Sequence, residues 1–143
     1  MSPGSSTTPA TSADVQRVES SYDALNRGDI DGTVAVLHDD ASWVEHSDLP
    51  EAGTYEGVAT IRSFLELYLE SWEEFHQEIE ETIVRGPCVL LFIHLRARGK
   101  GSGIEVDSRY AHMWRLGDGE GTRVDAYYDR DQALAALNAA HGE

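Results

Sequence analysis

The chain has 143 residues, with 26 Asp and Glu against 11 Lys and Arg, for a formal charge of −15. That length makes one domain with one core, and so acidic a chain has no general attraction for phosphate backbones or anionic lipid. No stretch reaches the roughly 18 apolar residues of a membrane span, so neither nucleic acid nor membrane is an expected partner. The sole cysteine, Cys88, excludes an internal disulfide and any multi-cysteine metal site. Met1 to Ala13 has neither the basic nor the apolar region of a secretory signal, so a cytoplasmic domain is expected.

Residues 1–12 are poor in apolar side chains and are expected to be a disordered tail before a single domain over 13–143. Val15, Val18, Tyr22 and Leu25 recur at helical spacing, and Gly28 stands where a C′ glycine would stop that helix. Asp29 can cap a second, short helix with Ile30, Val34 and Leu37 on one face. Ala41 to His46 is short and rich in β-formers, which predicts a strand. Ser47 to Gly57, with Pro50 and two glycines, reads as a loop whose first part, Ser47 to Ala52, could form a lid. Ile61, Phe64, Leu65, Tyr68, Leu69 and Trp72 predict an amphipathic helix, with a solvated turn over Trp72 to Phe75.

From Phe75 the period becomes two, which places Phe75, Ile79 and Ile83 on one strand face. Gly86-Pro87 is a turn signal. Cys88 to Arg98 contains Val89-Leu90-Leu91-Phe92-Ile93, apolar on both faces, as in a central strand, with Cys88 buried and inert. Glycine-rich turns then separate strands at Ile104 to Leu116 and Thr122 to Tyr128. Asp129 to Gln132 has capping-box spacing and opens a last helix carrying Leu134 and Leu137. The order α-α-β-α-β-β-β-β-α predicts an α+β layer, a curved antiparallel sheet with helices on its concave face and a pocket between them. Helices on one face leave the other side of the central strand bare. A second copy would cover it, so a homodimer through the outer sheet face is expected.

Particular segments carry a family likeness. Tyr22-Asp23-Ala24-Leu25-Asn26-Arg27-Gly28-Asp29, Leu37-His38-Asp39-Asp40-Ala41, and Gly53-Thr54-Tyr55-Glu56-Gly57 before Ile61 lead the chain. His112-Met113-Trp114-Arg115-Leu116 and Tyr127-Tyr128-Asp129-Arg130 close it. Together, over residues 13–141, they resemble the NTF2-like superfamily in its ketosteroid isomerase and SnoaL-like polyketide cyclase branch. The resemblance implies an NTF2-like cone. It is weaker for activity, because this fold hosts several chemistries and non-catalytic binders.

The resemblance places Glu45 where the isomerases carry a carboxylate general base. It places His112 where they carry an acid that donates to the developing enolate. Tyr22, Trp43, Tyr110, Trp114 and Tyr128 are the expected pocket walls. Strand parity leaves one choice open: if Glu45 and Trp43 face inward, Val44 and His46 face outward, and a one-residue slip reverses this. Two departures stand out. The isomerases' helix tyrosine aligns with Ser21, one residue or about 100° from Tyr22. The essential late aspartate of the cyclases aligns with Ala126, and the neighbouring Asp125 points to the other face of a regular strand.

The expected function is a cofactor-independent acid–base enzyme, an isomerase, cyclase or dehydratase, acting on a hydrophobic, carbonyl-bearing small molecule. The alternative is a non-catalytic binding or accessory module. No cofactor and no metal are expected; His38-Asp39-Asp40 is the nearest approach to a ligand motif and has no second ligand cluster at ligand spacing.

Overall fold

The computed structural model describes residues 9–47 and 53–142. Residues 1–8 of the expected tail and 48–52 of the expected lid lie outside the described residues. The last part of that tail is ordered: the Ala10 N–H donates to Gly86 O at 2.9 Å. Thr11 and Asp14 form a reciprocal capping box at the start of helix α1 (Ser12–Asn26). Two helix boundaries follow the sequence signals. Gly28, with φ of +78°, closes the end of α1, and its N–H donates to Leu25 O. The Asp29 side chain then accepts from Gly32 N and caps α2 (Ile30–Val34).

The chain continues through β1 (Leu37–His46), β2 (Gly53–Glu56), α3 (Val58–Glu70), β3 (Trp72–Arg85), β4 (Cys88–Gly99), β5 (Glu105–Gly117), β6 (Glu120–Tyr127) and α4 (Arg130–Gly142). The strands form one sheet in the order β2-β1-β6-β5-β4-β3. The β3-β4-β5-β6 meander is antiparallel as expected, but β1 pairs with β6 in parallel, so the sheet is mixed. Tertiary pairing also converts two expected connections into strand. Gly53–Glu56 pairs with β1 as a hairpin arm, and Trp72 to Phe75 lengthens β3, where Trp72 lies opposite Gly99.

Strand β3 contains a further correction. Phe75 and Ile79 face the core shared with α1 and α3, but Ile83 packs into the cluster on the opposite face. A bulge between Ile79 and Glu81 is the reason. One extra residue resets the two-residue alternation, so Thr82 takes the inner face and accepts a place beside α1, its Oγ1 donating to Glu19 Oε2 at 2.9 Å.

The core is split by the sheet. On the concave side Val18, Tyr22, Leu25, Ile61 and Leu65 of the helices meet Val89, Leu91, Ile93, Trp114 and Val124. On the convex side Ala133 and Leu137 of α4 meet Cys88, Leu90, Phe92, Ala111, Met113 and Tyr127. Asp129 caps α4 by accepting from the N–H groups of Asp131 and Gln132. The outer face is therefore not bare: α4 of the same chain covers its apolar part. That removes the ground on which a second copy was expected. The rest of that face carries ion pairs, among them Arg109 with Glu80 at 3.0 Å and His94 with Asp107 at 2.6 Å. No helix among the described residues is long and apolar enough to cross a membrane.

Candidate active site

The concave side encloses a cavity of about 260 Å³, open at one end. Helix α1 contributes Ser21, Tyr22 and Leu25 to its wall, and α3 contributes Phe64, Leu65 and Tyr68. The sheet contributes Trp43, Glu45, Gln77, Tyr110, His112 and Trp114, and Tyr128 follows at the end of β6. Every residue expected to form the pocket lines this one cavity.

Strand register decides which residues those are. Glu45 lies opposite Ala126 of β6, and Ala126 lies opposite His112 of β5. Residues paired across a sheet share a face, so Glu45 and His112 project to the same side from one row. The parity choice left open by the sequence is settled by the partner strand. Glu45 and Trp43 face the cavity. His46 faces outward, stacked on Tyr127 at 4.5 Å between ring centres, with Nε2 2.8 Å from Asp125 Oδ1. Asp125 is thus on the outer face, clasped also by Arg123 through two hydrogen bonds of 2.9 Å. No aspartate replaces Ala126 on the inner face.

The Glu45 carboxylate is held at both oxygens. Trp43 Nε1 donates to Oε2 at 2.6 Å, and the Tyr128 hydroxyl donates to Oε1 at 2.5 Å. Each carboxylate oxygen has two acceptor sites, so the grip fixes orientation and leaves a free lone pair on each for a ligand. Tyr128 is half exposed and stands at the cavity mouth.

His112 is held by a relay. Trp114 Nε1 donates to the Tyr22 hydroxyl at 2.8 Å, and that hydroxyl lies 2.7 Å from His112 Nδ1. Indole N–H can only donate; the arrangement that also gives the buried tyrosine proton a partner directs it to Nδ1, and the neutral imidazole then carries its proton on Nε2. Aromatic rings surround it: Trp43 packs edge-on at 4.9 Å and Tyr110 at 5.1 Å. Burial away from water pushes the His112 pKa down to about 3, because a charged imidazolium would have no compensating partner there. At neutral pH it is an uncharged donor.

Tyr22 has a larger part than its sequence position suggested. Ser21, at the aligned donor position, turns its hydroxyl back to Val18 O at 2.6 Å. The longer Tyr22 side chain reaches the histidine instead. Burial raises the Tyr22 pKa, so the hydroxyl keeps its proton.

The sequence reading passed over Tyr68 and Gln77. The Tyr68 hydroxyl, beside Tyr110 and Trp72, has its pKa pushed up to about 12, first by burial and then by the nearby Glu45 charge. Gln77 donates through Nε2 to the Tyr110 hydroxyl. Its sequence signal was a polar residue between Phe75 and Ile79 on an otherwise apolar strand face. His94, which shows no partner pattern in the sequence, sits between Asp107 and Glu80 on the outer face and has no part in the cavity.

A six-stranded α+β cone enclosing an apolar, aromatic-lined cavity defines a protein of NTF2-like architecture. The chain belongs to the SnoaL-like domain family, whose model matches residues 18–124. No curated protein matches the sequence. Similar solved structures include TerC co-crystallised with polyporic acid, 23% identical, covering 92% of this chain and 100% of its own, with a TM-score of 0.73. An NTF2-like protein from Burkholderia pseudomallei is 22% identical over 93% of this chain and 100% of its own, with a TM-score of 0.75. A protein with a ketosteroid isomerase-like fold from Catenulispora acidiphila, in complex with trimethylamine, is 19% identical. It covers 84% of this chain and 90% of its own, with a TM-score of 0.71. At these identities the likeness is one of fold.

Proposed function

We propose that the chain is a cofactor-independent acid–base enzyme for an apolar, carbonyl-bearing small molecule bound in the cone. One observation carries this reading: an oriented carboxylate, Glu45, and an uncharged histidine, His112, project from one sheet row into the same aromatic cavity. Glu45 takes a proton from the carbon beside the substrate carbonyl. The His112 Nε2–H donates to the carbonyl oxygen as negative charge gathers there, where an apolar surrounding strengthens such a bond. The resulting enolate has three outcomes. It regains the proton from Glu45 at another carbon in isomerisation, attacks a second carbonyl whose oxygen takes that proton in cyclisation, or expels a β-hydroxyl that leaves as water with that proton in dehydration.

The test needs no knowledge of the product. Apolar β,γ-unsaturated ketones and β-diketones are incubated with the protein in deuterated water, and exchange at the α-carbon is followed by NMR. Exchange above the buffer rate is expected for the native chain. Glu45→Gln and His112→Ala should each abolish it while the circular dichroism spectrum is retained. Full exchange in either folded variant sinks the assignment.

The second reading, a binding module without turnover, has support from the doubly held Glu45 carboxylate and from relatives crystallised with small molecules. Saturable binding of the same ketones, with α-exchange no faster than in buffer, would favour it.

A further inference from the structure

The cavity is unbalanced in charge. Among the described residues lining it, Glu45 alone carries a formal charge: no Lys or Arg lines the wall, and His112 is neutral. Trp43 and Tyr128 give the carboxylate hydrogen bonds but no counter-charge. Acids elsewhere on the chain are answered differently. Glu73 and Glu74 pair with Arg98, Glu80 with Arg109 and Glu81 with Arg130. A half-buried carboxylate with no cation beside it attracts one from solution, since holding such a charge away from water without a partner is costly. The chain's formal charge of −15 also draws cations rather than anions towards the mouth.

The surroundings select the kind of cation. Trp43, His112, Tyr110 and Tyr128 form a continuous run of rings beside the carboxylate. Trp43 lies 4.9 Å from His112, His112 lies 5.1 Å from Tyr110, and Tyr110 lies 5.9 Å from Tyr128. Aromatic rings attract cations most strongly where water is displaced. A primary ammonium brings three N–H donors and a tight hydration shell, and each donor needs an acceptor. The aromatic wall offers few. A quaternary ammonium spreads its charge over alkyl groups, sheds water readily and asks for no hydrogen bond.

The two polar groups of the cavity fix where the cation lies on its carrier. Glu45 and His112 share one row of the sheet. With a carbonyl oxygen at His112 Nε2 and the adjacent carbon at Glu45, a substituent on that carbon stays within reach of the carboxylate. We propose that the cavity takes a ketone whose adjacent CH2 carries a quaternary ammonium group, with Glu45 as the counter-charge and the neighbouring rings as the walls of the cation site. This names a substrate class for the reading of the cavity as a site for carbonyl compounds and rests on it.

Two probes of the same shape separate charge from fit. Phenacyltrimethylammonium and neopentyl phenyl ketone differ only in N⁺ against C. Transfer out of water by itself favours the neutral ketone, so the sign of the difference is diagnostic. In titration calorimetry of the full chain at about 0.15 M salt, the ammonium probe is expected to bind about 5- to 30-fold tighter, the range a desolvated cation–aromatic contact supplies. Glu45→Gln should reduce that preference to less than about two-fold. Glu78→Gln removes the same unit of charge from the outer face, where Glu78 lies opposite His94, and should leave the preference unchanged. A native chain that binds the ammonium probe no tighter than the ketone overturns the cation site and leaves the cavity reading standing, and this comparison needs no variant to fold. A preference that survives Glu45→Gln, or that falls as far in Glu78→Gln, also overturns it, because the cation is then held by the general field of the surface. Failure of both probes to bind overturns the cavity reading together with the cation site. Binding is read without turnover, so the result stands apart from the α-exchange that tests catalysis.

Discussion

Acidification should destabilise the fold through His112 specifically. The folded pKa is about 3 against 6.5 for a solvated imidazole, so between these limits the unfolded chain binds a proton that the folded chain refuses. The depressed folded pKa means that stability is full above pH 6.5 and declines as pH falls toward 3. Each pH unit inside that window is worth about 1.4 kcal/mol, and the fall from pH 7 to pH 5 amounts to about 2 kcal/mol. In a chain of this size that is roughly 4–8 °C in Tm. Carboxylates titrate over part of the same range, so the native chain alone is not diagnostic. His112→Gln provides the reference: its amide oxygen can still accept from Tyr22, and it does not titrate. Urea melts of both proteins at pH 7, 6 and 5 should show the native chain losing about 2 kcal/mol more than the variant. Parallel stability profiles would refute the argument, since they would mean that the imidazole is protonated equally in both states.

Other outcomes follow from the same contacts. Tyr22→Phe leaves Trp114 Nε1 and His112 Nδ1 without their shared partner, and should lower stability by about 2–4 kcal/mol in chemical denaturation. A change under 0.5 kcal/mol would show the relay to be unimportant. A Cβ at Gly121 would meet the Trp114 ring at 2.6 Å and Leu37 at 3.2 Å. Gly121→Ala should therefore destabilise by about 1–3 kcal/mol and displace the tryptophan, seen as altered near-UV circular dichroism. A homodimer through the outer sheet face would have to use its charged rows around Glu80, His94, Asp107 and Arg109. Sedimentation at micromolar concentration should then show a dimer that weakens between 0.05 and 1 M salt, and a monomer at both would dismiss it.

Part of the site was legible because it depends on local rules. The capping signals at Gly28, Asp29 and Asp129, the helical spacing of Val15 to Leu25 and the doubly apolar run at Val89 to Ile93 each act over a few residues. A family pattern could therefore lead to Glu45 and His112. Gln77 was visible as a polar residue on an apolar face, yet its bond to Tyr110 was not, since that depends on how β3 and β5 lie in the sheet.

The sequence by itself determined the acidic charge, the order of the elements apart from β2, and five aromatic residues of the cavity wall. Tertiary structure decided everything that depends on a distant partner. The parallel pairing of β1 with β6 turned Glu45 inward and His46 outward. The bulge at Glu80 turned Ile83 away from the helices. The packing of α4 covered the outer face, and the length of the Tyr22 side chain overcame its one-residue offset to reach His112. Alternation along a strand specifies two faces but not which is which. The neighbouring strand makes that choice, because its hydrogen bonds fix the register and hence the side on which each residue emerges.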